Sequence, residues 1–122
     1  MKSNQYQWND CGVCTNPTIA REWNRKDHNS FGYYVRIKVA QLNNGKWCFG
    51  YDYAYNTGGG GCPCSSGYKG KEVFNTFDEA ERTAIQHLYD YFKDYWATRD
   101  CLDMLGKLKE WLQPKQLSLF EL

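Results

Sequence analysis

FGYYVRIKVAQL (residues 31–42), NNG (43–45) and KWCFGYDYAY (46–55) are the three consecutive stretches that decide the fold. Both long stretches alternate large apolar residues with polar or small ones, which is the pattern of strands with one buried face. The short stretch between them is rich in asparagine and glycine, a typical hairpin-turn signal. The sequence therefore predicts an antiparallel hairpin over residues 31–55.

The length of the connecting loop sets which residues of the hairpin face each other. A two-residue turn would pair Ile37 with Asp52 and give one face that is both basic and aromatic and therefore suited to nucleic acid. A three-residue loop with a left-handed Gly45 instead pairs Ile37 with Tyr51 and Arg36 with Asp52. We predict the three-residue loop, because it gathers the large apolar side chains on one face and creates a cross-strand ion pair.

Two helical segments are predicted after the hairpin. A capping box begins the first, because the Thr76 hydroxyl and the Glu79 carboxylate can accept hydrogen bonds from the first free amides. Apolar residues then recur every three or four positions over residues 77–97 and, after an interruption, over residues 100–113. We predict two helices there, with one long kinked helix as the alternative. The residue before Pro114 resists helical geometry and ends the second helix.

The segments outside the hairpin and the helices carry weaker patterns. Residues 1–30 are polar and irregular, and a short helical turn is predicted over residues 18–23 because it follows a proline, which suits the first helical position. Residues 56–70 contain four consecutive glycines and are predicted to be a long loop. Residues 71–74 are predicted to add a short third strand.

Together these elements predict an α+β fold. A chain of 122 residues is expected to form one domain. We assign residues 1–112 to that domain, with a small antiparallel sheet packed against one or two C-terminal helices. Residues 113–122 are predicted to be a separate extended peptide.

Charge and hydropathy restrict the partners of the chain. The formal net charge is +1, so a surface for nucleic acid would have to be a local patch. The sequence contains neither an apolar run of membrane length nor the pattern of a secretory signal, which predicts a cytoplasmic protein without membrane contact. It predicts no particular oligomeric state. The weak candidates for a nucleic-acid patch are Tyr34, Arg36, Lys38, Lys69 and Lys71.

Four of the six cysteines form two close pairs, Cys11 with Cys14 and Cys62 with Cys64. Four thiolates in two loops can hold a structural zinc ion, although the single residue between the second pair is an unusual spacing. The alternatives are reduced surface thiols or a redox-labile pair of Cys11 and Cys14. The remaining two cysteines fall in regular elements and are predicted to be small packed residues: Cys48 and Cys101.

The sequence predicts no catalytic site. His28 lies in a polar stretch and His87 in the first predicted helix, and neither belongs to a metal-binding or nucleophile motif. The acidic residues near position 78 are accounted for by the favourable interaction of negative charge with a helix N-terminus. We therefore predict a binding protein and not an enzyme.

The sequence QLSLF at residues 116–120 resembles the motif by which bacterial proteins bind the DNA sliding clamp, whose consensus is Gln-Leu-(Ser or Asp)-Leu-Phe. All five positions match, which would occur by chance in about one in several thousand chains of this length. The resemblance implies a polar anchor at Gln116, deep apolar anchors at Leu119 and Phe120, and a secondary contact at Leu117. It covers these five residues and carries no information about residues 1–112.

The resemblance implies a small accessory protein of DNA replication or repair, from a bacterium, a phage or another mobile element, that is recruited to the sliding clamp. Two alternatives are kept open. In one, the protein is a zinc-stabilised module for nucleic acid or protein whose apolar tail docks on its own domain. In the other, it is an inhibitor that occupies the clamp groove against polymerases.

Overall fold

The computed structural model describes residues 5–25, 33–55, 58–65, 73–95 and 99–113, and shows the predicted α+β fold. Four antiparallel strands lie side by side in the order in which they occur along the chain. Two helices follow them and pack on one face of the sheet. The elements are β1 (Thr18–Arg25), β2 (Tyr33–Gln41), β3 (Trp47–Tyr55), β4 (Gly58–Ser65), α1 (Phe77–Tyr95) and α2 (Arg99–Leu112).

The hairpin of β2 and β3 has the register that the three-residue loop predicts, and this prediction is confirmed. Ile37 is paired with Tyr51. The loop closes with the amide of Leu42 donating to the carbonyl of Lys46 at 2.7 Å. Gly45 has a φ of 89°, in the left-handed region where a side chain would be strained, and this explains the glycine at that position.

The prediction of a helical turn over residues 18–23 is wrong, because this stretch lies within strand β1. It pairs antiparallel with β2 along its length, from Thr18 opposite Val39 to Arg25 opposite Tyr33. Threonine, isoleucine and tryptophan in this stretch favour strands. The hydrogen bonds and buried surface gained by pairing with β2 outweigh the weak local preference for a helix after a proline.

The prediction of a loop over residues 56–70 is wrong in its central part, because Gly58–Ser65 form strand β4 at the edge of the sheet. A glycine run has no side chains to alternate, so the periodicity that reveals other strands is missing. The absence of side chains also permits a backbone approach of β4 to β3 that a Cβ atom would obstruct. A Cβ atom at Gly59 would lie 2.7 Å from the carbonyl oxygen of Tyr53.

The short strand predicted at residues 71–74 falls partly outside the described residues, which omit 71 and 72. Within the described part, Phe74 forms an isolated antiparallel bridge with Trp47. The two residues exchange backbone hydrogen bonds of 2.7 and 2.8 Å. This bridge holds the segment before α1 against the beginning of β3.

The helices are separate and antiparallel, so the alternative of one long kinked helix is wrong. Arg82, near the start of α1, donates from Nη2 to the carbonyl oxygen of Leu112, at the end of α2, at 3.1 Å. The capping residues act largely as predicted. The amide of Glu79 donates to Thr76 Oγ1 at 3.1 Å, and the Glu79 carboxylate accepts from the amide of Asn75 at 3.0 Å instead of from that of Thr76.

The main core lies between the sheet and the helices. Side chains of the two central strands alternate, so that Val39 faces the helices and Ala40 faces the opposite side of the sheet. A second, smaller cluster therefore forms on that opposite side, covered by the N-terminal segment around Trp8. The fully buried side chains of the main core include Val35, Ile37, Val39, Ile85, Leu88, Phe92, Met104 and Leu108.

Candidate functional site

The outer face of the sheet carries a network of four charged side chains. Arg36 Nε lies 3.2 Å from Glu22 Oε2, and Arg36 Nη1 lies 3.8 Å from Asp52 Oδ1. Lys38 Nζ lies 3.0 Å from Asp52 Oδ2. The guanidinium of Arg36 also lies over the ring of Tyr34, 4.5 Å from its centroid, which is a cation–π contact.

This network gathers three of the predicted nucleic-acid residues, Tyr34, Arg36 and Lys38, on one face. Its two positive charges are balanced by two carboxylates, so a phosphate would compete with Glu22 and Asp52 for the same cations. Lys69 and Lys71 lie outside the described residues. Nucleic-acid binding at this face remains a prediction.

The second cluster of the core contains three cysteines and binds the N-terminal segment to the sheet. Cys14, Cys48 and Cys64 are 0–4% exposed and pack together with Ala40. The amide of Cys14 donates to the carbonyl of Cys64 at 2.9 Å. Burial, together with the nearby Cys48, raises the pKa of the Cys14 thiol, so this sulfur stays protonated and unreactive at neutral pH. The prediction that Cys48 is a small packed residue is confirmed, while the side chain of Cys101 is not among those described.

The four cysteines predicted to bind zinc are not assembled into one site. Cys14 and Cys64 share the second cluster, whereas Cys62 packs against the main core on the other face of the sheet. Cys11 is exposed. Among the described residues, no group of three or more histidine, cysteine or acidic side chains is arranged to hold a metal ion. The zinc site remains a prediction that would require the chain near Cys62 to rearrange.

A buried tyrosine and an exposed histidine form a polar contact between β3 and α1. Tyr51 Oη lies 2.7 Å from His87 Nδ1, within hydrogen-bonding distance. Burial raises the pKa of the Tyr51 hydroxyl above its ordinary range, with smaller contributions from Cys62 and Tyr91. The contact gives the buried Tyr51 hydroxyl a hydrogen-bond partner. It was missed from the sequence, because the two partners lie 36 positions apart and no pattern in the sequence brings them together.

A cleft of about 260 Å³ opens where β1, the start of α1 and the end of α2 meet. Arg21 crosses it, with Nε 2.5 Å from Glu81 Oε2 and the guanidinium 5.9 Å from the centre of the Trp111 ring. Ile85 contributes an apolar wall, and Gln113 forms part of the rim. The sequence did not predict this cleft, because it depends on α2 folding back along α1. The complete lining is Arg21, Asp78, Glu81, Arg82, Ile85, Trp111 and Gln113.

The predicted clamp-binding residues, Gln116, Leu117, Leu119 and Phe120, lie outside the described residues, as does His28. The structure does describe the point from which they extend. The end of α2 is fixed to α1 by the hydrogen bond from Arg82 to the carbonyl of Leu112, and Gln113 follows on the rim of the cleft.

The fold and these surfaces define an α+β protein with a four-stranded antiparallel sheet and a helical hairpin on one face. Comparisons with protein families, with curated proteins and with solved structures give no match to this chain. Neither helix, over the residues described, has the length and apolar character needed to cross a membrane.

Proposed function

We propose that this protein binds a bacterial DNA sliding clamp through residues 116–120 and thereby brings its folded domain to sites of DNA replication or repair. The observation that carries the proposal is the agreement of QLSLF with the clamp-binding consensus at all five positions. A short extended segment of this kind docks apolar side chains into a preformed groove, while a polar side chain fixes its register.

The described part of the domain ends before the clamp motif begins. The core described above is built from the sheet and the two helices, and the last of these helices ends at Leu112. Gln116 begins the motif four residues later, after Pro114 has interrupted helical geometry. The motif thus begins beyond the last helix of the described domain.

The two deep apolar anchors provide the direct test. Leu119→Ala combined with Phe120→Ala should weaken binding to a purified bacterial sliding clamp by about 100-fold or more, because interface anchors each contribute about 2 kcal/mol. The wild-type affinity is expected to be about micromolar, since ordering a flexible tail opposes binding. Titration calorimetry measures both values.

Ser118→Ala is the matched control, because the consensus treats this position as a spacer that also accepts aspartate. It should leave the affinity within about twofold of wild type. If the double variant bound the clamp as tightly as the wild-type chain, the proposed function would be wrong.

A further inference from the structure

We propose that the cleft between β1, α1 and α2 is the docking site for the protein's own residues 114–117, and that docking there competes with the sliding clamp. The inference rests on the proposed function, because the segment that would fill the cleft overlaps the clamp motif. It assigns a regulatory role to the cleft and names a single occupant.

The geometry of attachment favours this occupant over a free ligand. Gln113 is itself part of the cleft rim, so the next residues start at its edge. Four further residues can span up to about 14 Å, so Leu117 can reach cleft residues within that distance of Gln113. Because the segment is already tethered, its docking is intramolecular and has a high effective concentration.

The chemistry of the cleft also matches this segment. Asp78 is an exposed carboxylate on the rim and makes no ion pair with any described residue. Lys115, two residues beyond Gln113, supplies the opposite charge. The half-buried ring of Trp111, which also lines the cleft, offers an apolar surface for Leu117, and Ile85 lies almost fully buried in the cleft wall.

The two uses of the tail exclude each other. Leu117 belongs to the clamp motif, so a tail with Leu117 in the cleft cannot occupy the clamp groove. The clamp affinity of the full chain is then reduced by the fraction of tails that are free. A docked fraction of about 70–90% makes the full chain about three- to tenfold weaker than the free tail.

The first experiment compares clamp binding by the full chain with that of a synthetic peptide of residues 113–122. The peptide should bind about three- to tenfold more tightly. Asp78→Lys in the full chain should raise its affinity to that of the peptide, because it repels Lys115. Asp90→Lys is the control with the same charge change on α1, away from the cleft, and should leave the affinity unchanged.

Exchanging the charges of Asp78 and Lys115 tests whether these two residues are in contact. Lys115→Glu should release the tail as Asp78→Lys does, and the two changes together should restore docking. The indole N–H signal of Trp111 in the NMR spectrum reports docking without the clamp, and it should shift in each single variant and return in the double variant.

The failure of this inference is distinguishable from failure of the proposed function. Equal clamp affinities for peptide and full chain would overturn docking and leave clamp binding intact. If neither bound the clamp, the proposed function would be wrong, and the Trp111 signal would still decide docking. A Trp111 signal unchanged in both single variants would show that the tail does not fill the cleft.

Discussion

A Cβ atom added at Gly61 of β4 would lie 2.6 Å from the carbonyl oxygen of Tyr51 on β3. Such a distance is well inside van der Waals contact, and the obstructing atom belongs to the backbone of a central strand. The glycine run is therefore a requirement of close strand packing and not a sign of a loop.

Gly61→Ala should consequently destabilise the protein by about 2–3 kcal/mol, because the edge strand must move away from β3. Gly106→Ala is the matched control. Nothing lies within 4 Å of a Cβ at Gly106, which is in α2, and alanine there should stabilise the helix by about 1 kcal/mol. Urea unfolding followed by circular dichroism measures both. Equal changes in the free energy of unfolding for the two variants would contradict the close packing of β4 on β3.

The parts of the fold that could be predicted from the sequence are those in which the pattern of apolar and polar side chains shows which face is buried. The hairpin was predicted down to its register, because alternation over residues 31–55 and the loop ending at Gly45 agree with each other. Strand β4 could not be predicted in this way, since four glycines have no hydrophobic pattern. Strand β1 was missed because pairing with β2, a long-range contact, overrides the local signal of Pro17.

The candidate sites were less predictable, because each combines residues that are distant in the chain. Cys62 and Cys64 look like one pair of ligands in the sequence, and in a regular strand two residues at this spacing would face the same side of the sheet. The bulge in the pairing of β3 with β4, between Phe49 and Tyr51, shifts the register at this point. Spacing alone gave no information about this shift.

Alkaline pH should destabilise the protein through Tyr51. Burial raises the pKa of this phenol in the folded state, so above about pH 10 the unfolded chain loses its proton while the folded chain retains it. The free energy of unfolding is fully retained below that pH and falls above it, by up to about 1.4 kcal/mol per pH unit for this group.

Tyr51→Phe should flatten this alkaline loss, and at neutral pH it should cost about 1 kcal/mol for the lost contact with His87. Tyr34→Phe is the control, since this ring lies on the outer face of the sheet. Denaturant unfolding at several values between pH 8 and pH 11 provides the measurement. If the free energy of unfolding fell equally steeply with pH in Tyr51→Phe and in the wild type, the buried Tyr51 phenol would not be the source of the alkaline loss.

The cysteines should differ in their reactivity with a thiol reagent. Cys11 is exposed and should react rapidly, whereas Cys14 is buried with a raised pKa and should react only when the N-terminal segment opens. Cys11→Ser should therefore remove a rapid phase that Cys14→Ser leaves in place. Release of coloured thiolate from an aromatic disulfide follows the reaction, and a rapid phase lost in Cys14→Ser would contradict the buried cluster.

The same reaction tests the predicted zinc site. A zinc ion bound by Cys11, Cys14, Cys62 and Cys64 would protect all four thiols, so Cys11 would react slowly until a chelator is added. Metal analysis of protein purified without chelators should then find about one zinc per chain. Rapid reaction of Cys11 without a chelator, together with the absence of zinc, would show that the four cysteines do not form this site.

The charge balance of the outer face determines how it should respond to DNA. Asp52 lies close to both Arg36 and Lys38, so Asp52→Asn leaves Lys38 without its carboxylate and Arg36 with Glu22 alone, and the face gains net positive charge that can contact phosphates. We expect this variant to bind single-stranded DNA more tightly than the wild type at low salt, with a steeper dependence of affinity on salt concentration. Fluorescence anisotropy with a labelled oligonucleotide measures both quantities.

Glu110→Gln on α2 is the control, because it removes one negative charge away from the sheet. If both variants changed the affinity equally, the gain would follow net charge alone, and the outer face would not be the DNA-binding surface.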